Sequence, residues 1–154
     1  MIKVPSTVFQ SQNIVGGVEI VHGCKNIALE SYRGMYVFAD EDDRARADGI
    51  TIDRRATFSV ELGTGNEIGL KNLANGNYLV AELNQDINVN RTGRGGWETF
   101  TLESQPRCTV SIKTFHEDYL GAEVDGRLRA NRSAVGRSEQ FTPKCVGKYQ
   151  SMVQ

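Results

Sequence analysis

Proline is scarce, with three in 154 residues, which excludes polyproline segments and proline-rich linkers. Three cysteines, Cys24, Cys108 and Cys145, are too few for the disulfide framework of a small secreted domain. They read as three reduced thiols of a cytoplasmic protein; Cys108 and Cys145 open and close one segment, and such ends can be neighbours. No apolar run reaches membrane length, and the N-terminal stretch MIKVPSTVFQSQNIVGGVEIVHG has no secretory apolar region, so no membrane insertion is expected. A net charge of −1 supplies no bulk field for nucleic acid, and none is expected as a partner. His22 and His116 are the only histidines, too few for a pH sensor. They also fit no Ser/His/Asp, Cys/His or metal-ligand spacing. The acidic run Asp40–Asp43 lacks the turn glycine and distal glutamate of a calcium loop. These absences predict a non-catalytic protein without cofactor or metal.

Glycine is plentiful at 16, and it punctuates a threefold internal repeat. Phe58, Phe100 and Phe141 stand 42 and 41 residues apart, as do Tyr36, Tyr78 and Tyr119, and each Tyr precedes its Phe by 22. Such a period means one supersecondary unit used three times. Each unit holds four short pieces with the alternation of half-buried strands. The first pieces are 27–31, 68–72 and 110–114; the second are 36–40, 78–82 and 119–123. The third are 44–48, 87–91 and 128–132, and the fourth are 57–62, 98–103 and 139–145. Asp42-Asp43, Asn84-Gln85 and Asp125-Gly126 suit the hairpin turns between second and third pieces. No stretch carries a capped helical pattern, so the chain reads as all-β.

A propeller also uses four-stranded repeats of this length, but three units are too few to close its ring. The expected architecture is a β-trefoil of about 12 strands, in which six strands form a barrel and three hairpins cap one end. Repeats are expected at about 26–62, 67–103 and 108–146, within a domain over 26–146. Residues 1–25 read as an extension or edge strand, and 147–154 as a tail. The Tyr, Phe and Ala anchors then form layers of one core. Two sequons, at Asn90 and Asn131, occupy matching places in repeats two and three and read as coincidental matches.

The segments IGLKNLANGNYLVAE, NVNRTGRGGWETFTLE and VSIKTFHEDYLGAEVDGRLRANRSAVGRSEQF are similar to the fascin-type β-trefoil family. The likeness covers about residues 26–146 and is densest in repeats two and three. Repeat one departs from it: Glu30 stands where Lys71 and Lys113 stand, and RARADGITIDRRATF lacks the Asn-Arg ending and the Glu-x-Phe. The resemblance implies a cytoplasmic protein that binds actin filaments. From Arg127 to Lys148 there are six basic residues against one acid, whereas residues 40–53 hold six acids against two arginines. A positive face can therefore coexist with near-neutral charge and dock on an acidic filament. The residues expected on it are Lys71, Arg91, Arg94, Lys113, Arg127, Arg129, Arg132 and Arg137. Against this stands the plainer reading that these are solvated strand ends, with Arg91 and Arg132 laying their stems over the barrel. Two alternatives remain open. One is a glycan-binding trefoil, although Trp97 is the only tryptophan and the Gln-x-Trp signature of ricin-type lectins is absent. The other is a protein-interaction module with a partner other than actin.

Overall fold

The computed structural model describes residues 18–147; the expectations for residues 1–17 and 148–154 lie outside them. The chain is all-β, with twelve strands in one antiparallel sheet. The first repeat gives β1 (Asn26–Glu30), β2 (Tyr36–Ala39), β3 (Ala45–Gly49) and β4 (Phe58–Leu62). The second gives β5 (Glu67–Asn72), β6 (Tyr78–Ala81), β7 (Ile87–Arg91) and β8 (Phe100–Gln105). The third gives β9 (Thr109–Lys113), β10 (Tyr119–Ala122), β11 (Leu128–Arg132) and β12 (Thr142–Cys145).

Two features depart from the expected pattern. Val18–Val21 is a turn of α-helix, α1, rather than an edge strand. Its Val21 is buried in the core, with Val18 and Ile20 packed against it. Short 3-10 turns at Arg54–Ala56, Gly96–Glu98 and Arg137–Glu139 precede the last strand of each repeat. A fourth, Pro106–Cys108, joins β8 to β9. Three residues carry no readable helical period, and so the sequence pattern passes over them.

The strand pairings repeat with the sequence. β1 pairs β4, β5 pairs β8, and Val110 of β9 bridges Phe141 just before β12. Between repeats, β4 pairs β5, β8 pairs β9 and β12 pairs β1. These six contacts close on themselves, so every strand of the ring has a neighbour on each side. The other six strands form the hairpins β2–β3, β6–β7 and β10–β11. Bridges between Arg44 and Asn88, Arg46 and Arg127, and Asp86 and Arg129 tie the hairpins to one another.

The anchors lie where their period puts them. Phe58, Phe100 and Phe141 are fully buried, among Leu29, Leu70, Leu79, Ile112 and Leu120. Removing a buried ring of this kind costs about 3–5 kcal/mol, because a cavity adds to the lost transfer energy. Tyr78 is buried, while Tyr36 and Tyr119 are half-buried; their hydroxyl ends reach polar groups at the edge of the core.

One cysteine expectation is corrected. Cys24 and Cys145 form a disulfide, with Cα atoms 5.4 Å apart across a sequence separation of 121. The three thiols are thus not all free, and the partner of Cys145 is Cys24 rather than Cys108, which is exposed and unpaired. Cys24 follows α1, and Cys145 ends the strand that closes onto β1. Ring closure brings the two ends of the repeat region together.

Candidate functional site

The register aligns the three repeats residue by residue and explains why repeat one diverges. Across the β4–β5 and β8–β9 seams, Lys71 faces Ser59 and Lys113 faces Thr101. Two residues further along, Glu61 and Glu103 accept hydrogen bonds from the hydroxyls of Tyr78 (2.6 Å) and Tyr119 (2.8 Å). At the third seam Glu30 takes the lysine position and Lys144 the glutamate position, and the two form an ion pair at 3.0 Å. The signs are exchanged, and only here do the lysine and glutamate pair with each other; at the other seams the glutamate holds the tyrosine hydroxyl. In all three seams a lysine ammonium lies over a tyrosine ring: Lys71 over Tyr78 at 5.5 Å, Lys113 over Tyr119 at 5.9 Å and Lys144 over Tyr36 at 5.7 Å. Such contacts favour the cation over the ring's negative face.

A second pair is lost together. Arg91 and Arg132 stand opposite Tyr78 and Tyr119, where repeat one has Gly49 opposite Tyr36. They approach the buried Glu98 and Glu139 at 3.8 and 4.0 Å. Those carboxylates accept from the backbone N–H of Gly95 and Gly136, fixing the 3-10 turns. Repeat one replaces the acid by Ala56 and fills the arginine's place with the Phe38 ring, which a Cβ on Gly49 would meet at 2.9 Å. A buried carboxylate without its cation would be costly, so both partners change.

The eight basic residues expected on a docking face are thus spread over four environments. Lys71, Lys113 and Arg94 lie along the strand seams, Lys113 paired with Glu117 at 3.0 Å. Arg94 lies 3.8 Å from Glu61. Arg91 also pairs with Glu82 at 2.7 Å; with Arg132 it supports the 3-10 turns. Arg127 and Arg129 sit where the hairpins meet, beside Asp125 (3.0 Å) and Asp86 (3.6 Å). Arg137 stacks over Tyr32 at 5.3 Å. Arg94 and Arg129 find their acids, Glu61 and Asp86, in the preceding repeat, so charge runs along the chain cannot reveal those two pairs.

Sequence reasoning missed a cleft of about 720 Å³ between repeats two and three. Glu61, Glu67, Arg94, Thr101, Phe115 and Glu117 line it. His116, next to Phe115, is held by Ala81 O at 3.0 Å and by edge contacts to Trp97 and Phe115. Its fixed position is that of a wedge between rings. Among the described residues, no group of three or more His, Cys, Asp or Glu side chains is placed to hold a metal ion.

The hydroxyls of Tyr78 and Tyr119 are harder to ionise than usual. For Tyr78 the first cause is its hydrogen bond to Glu61, with burial second. For Tyr119 burial comes first and the bond to Glu103 second. Both effects penalise a phenolate beside a carboxylate. Among the described residues no helix is long and apolar enough to cross a membrane. No family model matches the chain, and no curated protein matches it.

Proposed function

We propose that this chain is a non-catalytic β-trefoil binding module that docks on actin filaments through basic loops of its second and third repeats. The trefoil reading is supported by the closed ring of six strand contacts and the three hairpins bridged to each other. The actin reading starts from the fascin-like motifs, and one observation carries it to particular residues. Arg127 and Arg137 in the third repeat are exposed and hold no buried acid. Arg132, in contrast, stands 4.0 Å from the buried Glu139. Exposed guanidinium groups offer the long-range attraction and bidentate contact that an acidic filament surface rewards. A cytoplasmic location belongs to this reading. The Cys24–Cys145 bond weighs against it, since reducing compartments keep thiols free.

Co-sedimentation with actin filaments at low and moderate salt tests the proposal. The wild-type protein is expected to pellet in a salt-sensitive manner. Arg127→Glu with Arg137→Glu is expected to abolish pelleting while leaving the circular dichroism spectrum unchanged. Absence of pelleting at micromolar wild-type protein in both salts overturns the actin reading. Unchanged pelleting of the double variant overturns the site.

A further inference from the structure

The three seams between repeats are built alike, and one of them is covered differently. Each joins the turn after a repeat's first strand to the segment leading into the preceding repeat's 3-10 turn. The residue at the tip of that turn is Leu73, Phe115 or Tyr32, and it faces Arg54, Gly96 or Arg137 respectively. Arg54 donates to Leu73 O at 2.8 Å, and Arg137 covers the Tyr32 ring at 5.3 Å. At Gly96 no side chain reaches across; the Phe115 ring itself lies against the glycine. A Cβ there would already stand 3.1 Å from the Phe115 ring, and the side chain that closes the other two seams is absent. The cleft of about 720 Å³ opens at this place, within the ~300–1,000 Å³ range of small-molecule sites.

Further differences accumulate in the same seam. Arg94 occupies the position that Ile52 and Val135 hold in the other repeats. It lies flat on Gly69, whose Cβ would meet its Cδ and Nε at 2.6 Å. Among the described residues its guanidinium makes no hydrogen bond, only the 3.8 Å approach to Glu61. Glu117 has φ of 73°, where the equivalent turn positions carry Gly34 and Gly76. Phe115 is 58 % exposed, among the most exposed large apolar side chains.

We propose that this cleft is a binding site for a neutral saccharide, with a sugar ring lying against Phe115. The lining decides the ligand class. Glu61, Glu67 and Glu117 outnumber the single Arg94, which disfavours a phosphate or an acidic sugar. An apolar ligand would strand the Glu67 carboxylate and the Arg94 guanidinium without partners. A simple cation would leave Arg94 unmatched. Sugar hydroxyls both donate and accept, so one ligand can donate to the glutamates and accept from Arg94, while its C–H face packs on the aromatic ring. The proposal is independent of actin binding, because Arg127 and Arg137 line no part of this cleft.

Trp97 is the only tryptophan and contacts His116 beside Phe115, so its fluorescence reports on the cleft. The wild-type protein is titrated with lactose, cellobiose, maltose and chitobiose, and applied to an array of neutral and acidic oligosaccharides. Saturable binding of a neutral glycan is expected, weakened at least tenfold by Phe115→Ala and abolished by Gly96→Arg, which supplies the side chain found in the other seams. Thermal midpoints of both variants confirm folding, and unchanged actin pelleting of both separates this site from the docking face. If no neutral glycan binds, if only acidic glycans bind, or if both folded variants bind as the wild type does, the proposal is overturned.

Discussion

The disulfide offers the clearest quantitative test, because its effect follows from where ring closure places two residues. Cys24 and Cys145 are 121 residues apart in sequence. Cross-linking ends so distant removes much conformational freedom from the unfolded chain, and the loop-entropy relation gives about 5 kcal/mol as the stabilisation. Natural disulfides fall between about 2 and 5 kcal/mol on removal, against a total of about 5–15 kcal/mol for a domain. The perturbation is Cys145→Ser; position 145 is exposed, so the serine hydroxyl meets water and adds no burial penalty. Urea unfolding of wild type and variant, each with and without dithiothreitol, measures the difference. With a urea slope of about 1–3 kcal/mol/M for a small domain, the midpoint is expected to fall by about 0.7 M or more in the variant and in the reduced wild type alike. Dithiothreitol should leave the variant unmoved. Iodoacetamide followed by intact mass analysis of the folded wild type should add one label, on Cys108, the exposed free thiol. Three labels without reductant, or a midpoint indifferent to both reduction and substitution, would refute the pairing.

Glu30→Lys should lower the thermal midpoint by setting two lysines side by side at the β12–β1 seam, and Lys144→Glu added to it should restore the midpoint by recreating the order of the other seams. A double variant no more stable than Glu30→Lys would show that the exchanged pair is not an interacting unit. Tyr78 and Tyr119 should ionise above the usual value near 10 when absorbance at 295 nm is followed. Because their folded values are raised, the stability they contribute is complete below the unfolded value and is lost as pH rises through the folded ones. Tyr78→Phe with Tyr119→Phe should therefore flatten the alkaline loss of stability, and an unchanged profile would count against the hydrogen-bond account.

Much of the fold was legible because the repeat supplies three readings of each position. Phe58, Phe100 and Phe141 share one environment, and their spacing alone puts them in one layer. Strand ends were less legible: β8 runs Phe100–Gln105, beginning two residues later than its sequence pattern suggests. The 3-10 turn at Gly96–Glu98 takes those residues, and its buried Glu98 looks like a surface charge in sequence. The disulfide was illegible because Cys24 precedes the repeat, and only the β12–β1 contact fixes its distance to Cys145. The cleft had a signal that went unused. Aligning Gly96 against Arg54 and Arg137 exposes an omission in one repeat, though only the structure shows that those arginines close their seams.

In a threefold chain, the places where the repeats disagree are the ones that need explaining, and they are of two kinds. Glu30 and Lys144 exchange signs together, while Gly49, Ala56 and Phe38 replace the Arg–Glu support together. Each change is answered by its neighbour, so the local energetics are conserved and nothing is left over for a ligand. The seam between repeats two and three is different. Gly96 removes a covering side chain, Arg94 brings in a cation with no hydrogen bond among the described residues, and Glu117 takes up a backbone conformation that glycine serves elsewhere. The Arg94 guanidinium in particular is left without a hydrogen-bond partner by the protein's own contacts. A cost that the protein's own contacts leave unoffset marks where a partner's groups would be rewarded, and the seam's lining, three glutamates and Arg94, names their chemistry.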